Sequence, residues 1–191
     1  MKRILILVVT LVSGGLLFSC FNTIQMADLQ HLPVDYAISP AFDEKPVWRT
    51  AVLPPMESLG YSLSQTAGLY DYAGLALLRT GRFTVVDRTV VDQLLDEQEF
   101  SYSGVVDQAT AVQLGTLLGA EAVMTINVTR ISHDSFWDDE PAQRDAVLHV
   151  KIISVETSEV LYTSTGQGND FEGAEGALRM ALEVALIGLT R

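Results

Sequence analysis

A single cysteine, Cys20, is all the thiol chemistry this 191-residue sequence has. One thiol excludes an intramolecular disulfide framework. Basic residues are scarce too: 12 Lys and Arg stand against 24 Asp and Glu, a formal net charge of −12. A polyanionic chain is a poor fit to nucleic acid and to close contact with anionic lipid headgroups. It suits solution, or the basic surface of a partner. The three histidines, His31, His133 and His149, share no metal-ligand spacing, and no Gly-x-Ser-x-Gly elbow, phosphate loop or supported carboxylate pair occurs. These absences predict a protein with no metal, no cofactor and no catalytic centre. Membrane-spanning length is missing as well. The apolar stretch from Ile4 to Leu17 would make a helix of about 21 Å at about 1.5 Å per residue, short of the roughly 30 Å hydrocarbon core.

That stretch follows Lys2 and Arg3 and runs into Leu17-Phe18-Ser19-Cys20, the layout of an export signal. Its end resembles a lipobox. There a bulky aliphatic residue stands three places before the cysteine and a small one immediately before it, roles that Leu17 and Ser19 fill; Phe18 is larger than the usual middle residue. The expectation is cleavage after Ser19 and lipidation of Cys20, with enough buried CH2 groups to anchor the chain stably. Residues 1–19 would then be a signal peptide, and loss of Lys2 and Arg3 leaves 10 basic and 24 acidic side chains, a formal charge of −14. Phe21 stands where some bacteria place an acidic residue that retains lipoproteins in the inner membrane. Its presence favours the periplasmic face of the outer membrane.

Residues 20–46 contain Pro33, Pro40 and Pro46 and show no clear period, so they read as the lipidated cysteine and a tether; Val34 to Phe42 keeps enough apolar residues to lie across the domain instead. Residues 47–191 read as one folded domain. Val47 to Leu53 is a short apolar run stopped by Pro54-Pro55, a buried strand. Ser64 to Thr80 has helical spacing and a Gly81 stop, Arg82 to Val86 is β-rich, and Asp87 to Glu99 is helical. Asp107 is placed to cap a helix over Gln108 to Leu118, with Gly119 after it. Ala122 to Ile131 reads as a strand, and Val147 to Val155 with Val160 to Thr165 as an antiparallel hairpin around Glu156-Thr157-Ser158-Glu159. Gly173 to Leu189 is a terminal helix with a broad apolar face. The order β-α-β-α-α-β-β-β-α predicts an α/β sandwich in two or three layers, its mixed sheet packed by helices and its first two strands parallel across a helical crossover.

Ala51-Val52-Leu53-Pro54-Pro55, Gly81 to Arg88 leading into Leu94 to Gln98, Ser103-Gly104 and Leu117 to Val123, in that order, resemble the CsgG superfamily of outer-membrane lipoproteins, which includes the curli secretion channel and LpoB-type activators of peptidoglycan synthases. The resemblance spans about Val47 to Leu189. It implies a periplasmic α/β domain, an envelope protein complex as partner and, by analogy, assembly into a homo-oligomer. Where the family has Thr-Gly-Glu at the hairpin, this chain has Thr157-Ser158-Glu159, so a serine stands at a position prone to positive φ. The channel's two transmembrane hairpins have no counterpart. Ser132 to Asp145 is too charged to cross hydrocarbon, and Gly166 to Glu172 leads straight to the last helix.

Phe136 and Trp137 lie in an otherwise charged segment, 133–145, the pattern of an aromatic anchor for a partner or of a lid folded onto the sheet. The acidic residues Asp134, Asp138, Asp139 and Glu140 lack the glycine and spacing of an EF-hand. Gly166-Gln167-Gly168 reads as a flexible connector, and His149 as a solvent-facing strand residue. The expectation is a lipid-anchored, non-catalytic periplasmic protein that docks on or helps assemble an envelope complex; the alternative is a subunit of a CsgG-like secretion channel.

Overall fold

The computed structural model describes residues 35–57, 63–97, 107–131, 144–171 and 173–190, with the backbone alone at 56, 57 and 63–67. In chain order these are β1 (Asp35–Ile38), a 3-10 turn (Pro40–Glu44), β2 (Trp48–Val52), β3 (Met56–Glu57), α1 (Leu63–Arg79), β4 (Phe83–Val85), α2 (Arg88–Glu97), α3 (Gln108–Leu117), β5 (Ala122–Ile131), β6 (Arg144–Ser154), β7 (Val160–Asp170), α4 (Ala174–Leu186) and a final 3-10 turn (Ile187–Thr190). The strands form one open mixed sheet in the order β1-β7-β6-β5-β2-β4, with β3 beside β5. Both β2–β4 and β2–β5 are parallel, and β5–β6, β6–β7 and β1–β7 are antiparallel. The expected α/β class, element order, crossover and hairpin are all present.

Local chemistry explains the element ends. The Asp107 carboxylate accepts from the Thr110 amide at 2.7 Å, satisfying an orphan donor at the start of α3. Beyond α3 and α1, Gly119 and Gly81 take φ of 61° and 69°, a left-handed conformation that a Cβ disfavours. The β6–β7 turn puts Ser158 at φ 60°, the positive angle its position foretold.

Helices cover both faces of the sheet. On one face α1 and α4 bury the inward row of β5 and β6, including Met124, Ile126, Val128, Leu148, Val150 and Ile152, against Leu69, Leu77, Leu178 and Leu182. On the other, α2 and α3 bury Ala51, Leu53, Val123 and Ile153 against Val91, Leu95, Ala111 and Leu114. The result is the three-layer form of the expected sandwich.

One alternative is selected and one expectation corrected. Asp35 to Phe42 lies across the domain rather than in a tether: β1 pairs with β7 from Asp35↔Thr165 to Ile38↔Tyr162, and Phe42 is buried in the core, where the indole Nε1 of Trp48 donates to its carbonyl at 3.0 Å. Gly166-Gln167-Gly168 is no connector but the middle of β7, which runs on to Asp170. A Cβ at Gly168 would come within 2.2 Å of the Ala177 carbonyl oxygen, so glycine lets α4 lie on the strand backbone. The two-residue β3 was also absent from the sequence reading: after Pro54-Pro55 the chain stays beside β5 at Asn127 and Val128.

Candidate interaction surface

The residues singled out for anchoring and partner binding, Cys20, Phe136 and Trp137, lie outside the described residues. What is described is the strand ends on either side of 132–143: β5 ends at Ile131, and β6 begins at Arg144, which pairs with Asp170 at the end of β7. The antiparallel register of β5, β6 and β7 puts Ile131, Arg144 and Asp170 at the end of the sheet opposite the Glu156–Glu159 turn.

Part of one sheet face, toward this end, is covered by no described helix. The α2–α3 layer reaches Val123 and Ile153 but not the outward residues farther along the hairpin. Because side chains alternate along a strand, β6 presents Asp145, Val147, His149 and Lys151 to this face while Ala146, Leu148 and Val150 are buried behind it. Register extends the rows across four strands. Asn127, His149, Thr165 and Asp35 stand side by side, followed by Lys151, Thr163 and Ala37, while Thr125 at the β5 end of that second row is buried. A ring nitrogen of His149 lies 2.8 Å from the Thr165 hydroxyl, a cross-strand hydrogen bond. The solvent-facing assignment of His149 holds. Gln167 was missed as a surface residue because the strand was ended at Thr165, although the alternation that exposed His149 runs in register with it.

Chemically, this is a shallow mosaic of hydroxyl, amide and both charge signs, suited to a broad protein contact. Among the described residues no three His, Cys, Asp or Glu side chains are grouped to hold a metal. Among the described residues the carboxyls with displaced acidities lie elsewhere, and all are held low. Asp87 is lowered by hydrogen bonds from Thr89, and Asp107 by the Thr110 amide. Glu121 is lowered first by the Arg49 amide, which donates to it at 3.0 Å, and then by Lys45 at 2.8 Å. Lys45 also lies over the Trp48 ring, 4.9 Å from its centre. These contacts cap helices and tie the chain before β2 to the start of β5.

No described helix is long and apolar enough to cross a membrane.

Comparison with known proteins agrees with the fold. Residues 50–135 match the family described as "Curli production assembly/transport component CsgG". A PelC dodecamer from Paraburkholderia phytofirmans shares the fold with a TM-score of 0.57 at 13% identity, over 84% of this chain and 100% of that one. Looser likenesses reach lipoprotein GNA1162 from Neisseria meningitidis, with a TM-score of 0.47, 16% identity and 64% and 80% of the two chains. The LpoB C-terminal domain from Salmonella enterica gives a TM-score of 0.44, with 13% identity and 65% and 85%. No curated protein sequence matches significantly.

Proposed function

We propose that this CsgG-like domain is the periplasmic part of a lipoprotein, held to the outer membrane through Cys20, that docks on or helps assemble an envelope complex without catalysing a reaction. The observation that carries this reading is the CsgG match over residues 50–135 in a chain where Leu17-Phe18-Ser19-Cys20, which resembles a lipobox, precedes the domain. Three features support it: the open polar sheet face, the aromatic pair Phe136 and Trp137 in the sequence between β5 and β6, and the acidic balance of the chain. The mosaic face gives orientation and hydrogen bonding, and a buried aromatic gives affinity, the usual division of labour in a docking interface.

The test is co-purification from detergent-solubilised envelopes of wild type against Phe136→Ala and Trp137→Ala, each checked for folding by its melting temperature. A discrete complex with the wild type, weakened in the aromatic variants, is the expected result. No stable complex with any form contradicts the reading.

The dodecameric state of the similar PelC favours a second reading, a ring of copies serving a secretion channel. Rings in electron micrographs with conductance in planar bilayers from the purified protein alone would select it. Rings without conductance fit a soluble scaffold.

A further inference from the structure

Away from the open sheet face, a groove of about 300 Å3 lies beside the β4 edge. Val52 and the Tyr70 ring form its buried floor, and Leu75 and Leu78 its rim. Both leucines are turned outward on α1, 44% and 52% exposed, while Leu69, Ala73 and Leu77 on the same helix face the core. Spaced three apart, they make one apolar ridge, and an apolar ridge against a groove marks an interaction site rather than scatter.

Val85 of β4 also lines the groove, so the groove and the sheet edge are continuous. β4 ends the sheet order, and no described strand lies beyond it. Its bonds to β2 run from the Trp48 amide to the Arg82 carbonyl and from the Val86 amide to the Thr50 carbonyl. In a parallel pair this alternation turns the backbone amides and carbonyls of Phe83 and Val85 the other way, toward the open edge. An added strand would meet them there and send every second side chain to Leu75 and Leu78.

Charge selects what could be added. At one end of the groove Arg88 is held by Asp71 at 2.8 Å and by Asp92 at 3.2 Å, and it lies over the Tyr70 ring. Asp87 also lines the groove, its carboxylate accepting from the Thr89 amide, so this end carries three carboxylates to one guanidinium, in a chain of net charge −12. A second copy would bring more negative charge to this rim, and an acidic segment would be repelled. Basic residues flanking aliphatic ones are attracted.

We infer that the β4 edge with its Leu75–Leu78 groove is a docking site for an extended partner segment in which aliphatic residues alternate with basic ones. The inference rests on the docking reading above, but its test uses a defined peptide and no envelope complex, so the two can fail separately.

The experiment is fluorescence anisotropy of labelled decapeptides added to the full-length protein in nonionic detergent, with detergent alone as blank. Alternating leucine and lysine should bind about tenfold or more tighter than serine–lysine or leucine–glutamate peptides, a difference of about 1.4 kcal/mol. Leu75→Glu with Leu78→Glu, both exposed and melting like wild type, should weaken the leucine–lysine peptide about tenfold or more. N-methylation of alternate peptide amides on the strand-facing side should do the same. Equal binding of the serine–lysine peptide would overturn the site in favour of general charge attraction. Indifference to the double substitution would overturn the groove, and indifference to N-methylation would overturn strand addition. Wild-type self-association abolished by the double substitution would make a second copy the occupant and refute the basic segment.

Discussion

Gly166 of β7 and Ala181 of α4 meet backbone to backbone: a Cβ on the glycine would stand 1.8 Å from the alanine's carbonyl oxygen. No side-chain rotation relieves a clash with main chain, so the helix must lift off the strand. Gly166→Ala is therefore expected to destabilise by at least the 1–3 kcal/mol typical of overpacking, roughly. Gln167→Ala, one residue on and facing solvent, should change stability by no more than about 0.5 kcal/mol. Urea unfolding of both variants checks the contrast.

Ser158 stands at φ 60°, where a Cβ costs roughly 1 kcal/mol, and its backbone carbonyl accepts from the Gln108 amide group. Glycine keeps that carbonyl and removes the strain. Ser158→Gly should raise stability by up to about 1 kcal/mol, the gain being partly offset by the greater freedom of glycine in the unfolded chain. Ser158→Val should lower it. Thermal melting of the two variants in parallel tests this.

Glu121 ties Arg49 and Lys45 together, and its carboxyl is held below the usual range by them. A carboxyl lowered on folding contributes stability that is complete above its unfolded pKa of about 4.3 and is lost as pH falls through the lower folded value. Asp87 and Asp107 act in the same direction. Stability should therefore be level near neutrality and decline below about pH 4. Glu121→Gln should be less stable than wild type at pH 7, with the two curves converging toward pH 3. Urea midpoints across that range give the slopes, and a pH-independent gap would refute the assignment.

Much of this fold was legible in the sequence because its signals are local. Asp107 and Gly119 bracket α3, Gly81 stops α1, and the alternation through Leu148, His149 and Val150 fixes which face of β6 is wet. What escaped depended on partners distant in sequence. The β1 residues Asp35 to Ile38 carry no burial alternation of their own and become a strand only by pairing with β7. Phe42 is one aromatic among prolines until the core closes over it. Gly166 and Gly168 look flexible in isolation; Ala177 and Ala181, which settle their role, lie on the following helix. The groove at β4 was hidden for the same reason, since Leu75 and Leu78 fit a helical pattern as well as Leu77 does. Only the packing shows that they point outward.

The central claim is that lipid on Cys20 is the attachment and the folded domain adds none. It is tested by separating membrane from soluble periplasmic fractions for wild type and Cys20→Ala, with the latter given a conventional cleavable signal so that export is preserved. Wild type should sediment with the outer membrane, and the exported Cys20→Ala protein should move to the soluble fraction. Cys20→Ala protein that stays with the membrane after a high-salt wash would contradict the account.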